Sequence, residues 1–256
     1  MKEIKDSQSG LNLLENTPEE IFSNIHFSDF DWLSDIEGQR FESCHFSNIN
    51  FKIESIEDAH FKNCHFRNCR LNSIQLKDTV FSHCLFYHRE SEQGCFFTYC
   101  DLSATEFHHC DLSMCDLSRT VIYRTEFHHC QAQGIDLSHS SNESIIGGTI
   151  SLHDVKFLDS NLAYADFSGA NLNASEFSDC RLSHALLNRT TLEDASLIDC
   201  ELHNIEAVGL SIIGADLRGT NLQGLDIRQI DMNGVSISES QQSQLLETIG
   251  ILIIPD

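Results

Sequence analysis

From Phe41 onward, every fifth residue of the chain is large and apolar, and that period constrains the fold more than any other feature. The series reads Phe41, Phe46, Phe51, Ile56, Phe61, Phe66, Leu71, Leu76, Phe81 and Phe86. It resumes one register later at Phe97, Leu102, Phe107, Leu112, Leu117, Ile122, Phe127, Ala132 and Leu137. It falters around Asn142 and Gly147, then runs from Phe157 through Leu162, Phe167, Leu172 and Phe177 to Met232 and Ile237, with only Ala207 small. An α-helix repeats its inward face every 3.6 residues and a strand every two, so neither produces this pattern. A short fixed repeat of this kind marks a solenoid, in which each unit buries its apolar face only against its neighbours.

The cysteines carry the same period. All eleven (Cys44, Cys64, Cys69, Cys84, Cys95, Cys100, Cys110, Cys115, Cys130, Cys180 and Cys200) lie two residues before a member of the series. Elsewhere that slot often holds alanine, as at Ala165, Ala170, Ala185, Ala195 and Ala215. The position just before the large residue is commonly Asp or Asn, as in Ala165-Asp166-Phe167 and Ala170-Asn171-Leu172. Each unit therefore has a large inward residue, a small inward residue and three outward positions. No CxxC pair occurs, and cysteines in the phase of a small inward slot are expected to pack rather than to bind metal.

This arrangement resembles the pentapeptide-repeat family over roughly residues 41–238. The resemblance implies an all-β, right-handed quadrilateral β-helix in which four units make one square coil and residues 20 apart stack. At strand spacing, about nine coils would make a rod about 40 Å long. Ends of such rods need caps against edge-to-edge growth. Residues 1–40 are expected to form an N-terminal extension and cap, with a short helix started by Thr17-Pro18-Glu19-Glu20. Phe22, Phe27 and Trp32 suggest an irregular coil in another register. Residues 239–256 are expected to form a C-terminal helix, capped by Ser240 and stopped by Gly250, and a dimerisation segment.

The formal net charge is −23, from 39 acidic and 16 basic residues. Such a surface repels phosphates, which argues against direct nucleic-acid binding. It suits either plain solvation or a partner with a basic groove. No apolar run reaches the ~18 residues of a membrane span, and the polar start of the chain is unlike a signal peptide. These features predict a soluble, cytoplasmic protein. No cofactor is implied. His108-His109 recurs as His128-His129, which predicts four stacked imidazoles on one face. Because they point outward and the cysteines inward, a surface ladder is expected rather than a Zn²⁺ or Ni²⁺ site. A repeat that spreads Asp and His along flat faces offers no concave catalytic site, so the expected role is binding, not catalysis.

Two segments break the repeat. The first, Tyr87, His88, Arg89, Glu90, Ser91, Glu92, Gln93 and Gly94, adds six residues and shifts the register. The second comprises Glu143, Ser144, Ile145, Ile146, Gly147, Gly148, Thr149, Ile150, Ser151, Leu152, His153 and Asp154, and it preserves the register. Loops projecting from a rigid rod are candidate binding elements, more so if Ile145 and Ile146 are exposed. At these breaks the likeness narrows. Phe86-Tyr87-His88-Arg89-Glu90-Ser91 with Gly94-Cys95, Cys110-Asp111-Leu112-Ser113-Met114, Cys130-Gln131-Ala132-Gln133-Gly134 and Asn161-Leu162-Ala163-Tyr164-Ala165 resemble the Qnr quinolone-resistance proteins. So does Leu245-Leu246-Glu247 with Ile249-Gly250-Ile251. The resemblance implies a homodimer joined through the C-terminus, here through Leu245, Leu246, Ile249, Ile251, Leu252 and Ile253. It implies binding to DNA gyrase and topoisomerase IV, protection of both from quinolones, and a need for both loops. It also implies an acidic rod that imitates DNA. Duplex DNA carries about 24 charges over about 40 Å, comparable with −23. An acidic adaptor for a different protein partner is the alternative. The chain departs from that family in carrying residues 1–40.

Overall fold

The structure is a computed structural model and describes residues 2–10, 21–146, 150–223, 225–251 and 254; for residues 145, 146, 150, 151 and 248 it describes the backbone alone. The Thr17–Glu20 helix start, Gly147, Gly148, Thr149, Leu252 and Ile253 lie outside the described residues.

The chain winds as a four-sided β-solenoid, as the repeat predicts. Along the first face, short strands from Ile21–Ser23 to Ser196–Ile198 form a nine-stranded parallel sheet. Its register stacks Phe22 on Phe41, then Phe61, Phe81, Phe107, Phe127, Phe157, Phe177 and Leu197. The second face carries Phe27, Phe46 and Phe66 in register. The third and fourth faces are held largely by single parallel bridges, such as Asp116 to Asp136 to Asp166 and Val121 to Ser141 to Asn171. Neighbouring rungs exchange hydrogen bonds in both directions: Leu117 N–H donates to Asp136 O on the next coil at 2.7 Å, and Asp136 N–H donates back to Cys115 O at 2.9 Å.

Period five follows from this geometry. The large residue points to the axis, and the residue two before it fills the corner. All eleven cysteines are buried and free. Cys64, Cys84, Cys110 and Cys130 each donate S–H to the carbonyl of Phe41, Phe61, Phe81 and Phe107, at 3.3–3.4 Å. Burial pushes the Cys100 thiol up to about 12, which keeps it protonated. The residue two after most axial ones turns the corner in the left-handed region. Tyr99, Ala104, His109, Met114 and Arg119 all do so, at φ between 53° and 61°. Among the described residues no Val, Ile or Thr is left-handed, because branching at Cβ makes that conformation costly.

The rod begins before Phe41. Phe22, Phe27 and Trp32 pair with Phe41, Phe46 and Phe51, nineteen residues on, whereas Ile36 pairs with Ile56 at the regular twenty. One residue is missing from the corner between Trp32 and Ile36, which explains the altered register. Lys2–Ile4 adds a further parallel strand on Ile25–Phe27.

At the other end the cap differs from expectation. The helical segment begins at Glu239, so Ser238, not Ser240, is its N-cap, and Ser238 with Gln241 forms a capping box. A helix follows over Gln242–Thr248. The box wins because it places Gln241 inside the last coil, where the side-chain amide donates to Leu217 O at 2.8 Å and Thr220 O at 2.7 Å. Leu217 O already accepts the Thr220 N–H, but among the described residues Thr220 O has no other donor, and without Gln241 it would be left unpaired at the end of the ladder. Gln241→Leu is therefore expected to destabilise the protein by about 1–3 kcal/mol in urea denaturation. A neutral result would mean that water reaches this end.

Candidate functional site

Both breaks in the repeat are ordered where they leave the rod. The six-residue insertion lengthens one coil from 20 to 26 residues, as in the pairing of Arg70 with Phe96. Tyr87–Gly94 closes as a tight loop through His88 N–H to Gln93 O at 2.9 Å, and the His88 ring meets Ser91 Oγ at 3.1 Å. Gly94 has no room for a side chain: a Cβ would lie 2.4 Å from the carbonyl carbon of Met114 and from Cys115 N. Only glycine lets the loop return so close to the next coil. Beyond the loop, the Arg70 guanidinium lies over the Phe96 ring at 5.3 Å.

The second break is a β-hairpin. Glu143–Ile146 and Ile150–His153 pair antiparallel, and the ten extra residues, two repeats' worth, leave Phe127 stacked on Phe157. Its base is tied by Asn142, a residue whose importance the sequence pattern alone left unread. Asn142 is fully buried at an axial position. Its amide donates to Asn173 O at 2.8 Å, and its carbonyl oxygen meets the His153 ring at 3.1 Å. Arg124 N–H and Asp154 O close the corner. The signal was present: a polar residue replaces an apolar one in the axial series where the hairpin departs. Leu152 is partly exposed on the hairpin; the side chains of Ile145, Ile146, Ile150 and Ser151 lie outside the description.

The four faces place the loops relative to the charge. Tyr87–Gly94 leaves from the corner between the second and third faces. The hairpin leaves from the opposite corner, between the fourth and the first. Outward positions of the fourth face hold Asp35, Glu37, Glu57, Asp58, Asp78, Asp101, Glu143, Glu193, Asp194 and Asp231, against two cations, Lys77 and Arg124. The second face has Glu3, Asp29, Asp111 and Glu201 against Lys5, Arg67 and Arg181. The negative charge is thus not spread evenly. It lies most densely on the face beside the hairpin.

The histidine ladders are also as the repeat implies. The rings of His108 and His128 stack at 4.8 Å, as do those of His109 and His129. His108 and His128 are each bound by a glutamate, Glu106 and Glu126, at 2.7 Å. Parallel stacked rings aim their nitrogens side by side, not at one point. Among the described residues no group of three His, Cys, Asp or Glu is placed to hold a metal ion. None of the described helices is long and apolar enough to cross a membrane.

At the C-terminal end, Leu245 packs partly against the core. Ile249, Ile251 and Ile254 are 41%, 47% and 83% exposed. An apolar strip is left open there.

Comparison with known proteins agrees with this architecture. The family model "Pentapeptide repeats" matches residues 100–138, 150–189, 175–207 and 210–239 in 8 copies. A search of curated proteins finds no match. Among solved structures, a trypsin-treated variant of QnrB1, a plasmid-mediated fluoroquinolone resistance protein, is similar at 30% identity and a TM-score of 0.72, covering 86% of this chain and 99% of that one. A second trypsin-treated variant gives 28% identity and a TM-score of 0.71 over 88% and 100% of the two chains. Full-length QnrB1 gives 29% and 0.65 over 86% and 100%. The chain therefore belongs to the pentapeptide-repeat family, and it resembles QnrB1 over 99–100% of that chain.

Proposed function

We propose that this protein binds type II topoisomerases, DNA gyrase and topoisomerase IV, as a homodimer and protects them from quinolones. What carries the reading is the match to QnrB1, a fluoroquinolone resistance protein, over 99–100% of that chain. The surface suits the task. A rod with carboxylates concentrated on one face offers a basic DNA-binding groove a charged surface of DNA-like dimensions. The two loops, at opposite corners, grip a partner that wraps around the rod rather than lying against one side. The role is binding rather than catalysis: the faces are flat, and the rod supplies charge and shape.

The test is supercoiling by purified gyrase stalled with ciprofloxacin, with the protein titrated in. Recovery of supercoiling supports the reading. No recovery at any ratio, with a folded protein, would leave the adaptor for another partner in its place.

The fourth face is expected to act on the encounter. Glu37→Lys with Glu57→Lys, stacked on neighbouring coils, should slow association with gyrase about tenfold at low salt and flatten its salt dependence. Stability should change by no more than about 0.5 kcal/mol. Asp136→Lys on the third face should do far less. Equal effects from both faces in stopped-flow or surface-binding rates would count against an oriented rod.

The open apolar strip at the C-terminus is the proposed dimer contact, a two-fold pairing of like surfaces. Ile249→Ser with Ile251→Ser leaves the Gln241 cap in place and should convert the dimer to monomer by light scattering at micromolar concentration. A native chain already monomeric at that concentration would remove the proposal.

A further inference from the structure

The second face, away from the densest carboxylates, carries a line of histidines along the rod. His26, His45 and His65 stand on three successive rungs, in register. Their rings lie 6.0 Å and 4.5 Å apart, the second pair stacked. His26 and Ser47 Oγ are 3.1 Å apart, and Arg67 lies on the same face. Where the first loop leaves the rod, His88 closes one end. Together with Leu85 and Tyr87 these residues line a groove of about 340 Å³. One of its rungs, with His26, exists only because the rod begins before Phe41.

Charge distinguishes this groove from the rest of the surface. In a chain of net charge −23, no carboxylate among the described residues lies within ion-pair distance of Arg67. Its counterparts Lys52 and Lys62 are paired with Asp31 and Glu42. The acids nearest the groove are engaged elsewhere. Glu3, beside His26 on the outermost strand, binds Lys5 at 3.0 Å. Asp29 takes the Asn48 amide at 2.7 Å. Asp111, one rung beyond Leu85, accepts from Ser113 N–H. Glu90 approaches the groove only through His88, at 3.9 Å. Stacked imidazoles cannot converge on a metal ion, but their N–H edges and a free guanidinium together make a donor surface for an oxyanion. Leu85, 39% exposed, and Tyr87 add an apolar wall beside it.

We propose that this groove binds a phosphoryl or sulfate oxyanion carried on a small molecule with an apolar body. The oxyanion sits on Arg67 and the His45–His65 pair, and the body rests against Leu85 and Tyr87. Because Tyr87 and His88 belong to the first loop, an occupant would tie that loop to the rod. The inference does not depend on the topoisomerase reading. Binding must also take up protons. Burial first, then His65 and His26, hold the His45 imidazolium below its usual range, so a neutral ring has to gain charge to meet an anion. Affinity therefore rises as pH falls.

The full chain, titrated in a calorimeter at constant ionic strength with sodium sulfate and separately with adenosine monophosphate, tests this. Sulfate stays dianionic, so its affinity should rise about tenfold between about pH 7.5 and pH 6, the histidine range. Adenosine monophosphate should bind more tightly than sulfate at the higher pH if the apolar wall is used; equal affinity would overturn that part of the proposal. Arg67→Gln, an outward change, should weaken both about tenfold or more, the loss expected of a charge-assisted contact. Lys62→Gln on the first face should change nothing. Absence of binding at about pH 6, or equal loss in the Arg67 and Lys62 variants at unchanged circular dichroism, would overturn the site.

Discussion

Phe157→Ala is expected to destabilise the protein by about 3–5 kcal/mol, the cost of emptying a buried aromatic site that cannot collapse. The ring is fully buried. It stacks on Phe127 and on Phe177 at centroid distances of 4.7 Å and meets Phe167 edge-on at 6.0 Å. Removing it leaves a gap in a column held by backbone ladders on both sides, so neighbours cannot move in to fill it. Stacked aromatic pairs add about 0.5–1.5 kcal/mol beyond area, which places the change toward the upper end. Cys200→Ala, in the corner slot, removes one sulfur atom and should cost about 1 kcal/mol, in line with deleting a single small group. Both are to be measured by urea unfolding with two probes, because a solenoid can unzip from one end and depart from two-state behaviour. If the cysteine change proved the worse, the assignment of axis and corner would fail.

Removing residues 144–153 is expected to leave the fold intact and to weaken protection of gyrase at least tenfold, equivalent to about 1.4 kcal/mol of binding or more. The hairpin lengthens its coil from 20 to 30 residues, as Thr125 pairs with Val155, so deleting ten restores the regular spacing without shifting any axial residue. Asn142 should be changed to Leu in the same protein, since its partner His153 goes with the hairpin. Circular dichroism should be unchanged, and the melting temperature the same or higher. Supercoiling rescue should then need correspondingly more protein. Deleting residues 88–93, which returns the 26-residue coil to 20, should weaken rescue less. The physical reason is that the hairpin stands beside the densest carboxylates while the first loop stands at the far corner. Full rescue by both shortened proteins would assign binding to the rod alone.

How much of this was legible in the chain can be judged residue by residue. The axial series and the cysteine phase specify the solenoid outright, because each unit meets only its neighbours along the rod and few distant contacts can override the local pattern. The breaks at Tyr87 and Glu143 were visible for the same reason. Asn142 was not, although its position was marked, since a polar residue in an apolar series reads as a lapse until its partners Asn173 and His153 are seen. Ser240 was the expected helix cap, and only the burial of Gln241 over Leu217 and Thr220 moved the cap to Ser238.

The period, the inward slots, the places where loops leave and the total charge can be read from the chain alone, because all of these depend on residue types and their spacing along it. Which corner each loop occupies, which face collects the carboxylates, and that His26, His45, His65 and His88 share one groove emerge only once the coils are stacked. Those facts depend on register between coils. One residue missing between Trp32 and Ile36, six added at the first loop and ten at the hairpin set which outward side chains stand above one another, and stacking in space is not a property of any single repeat.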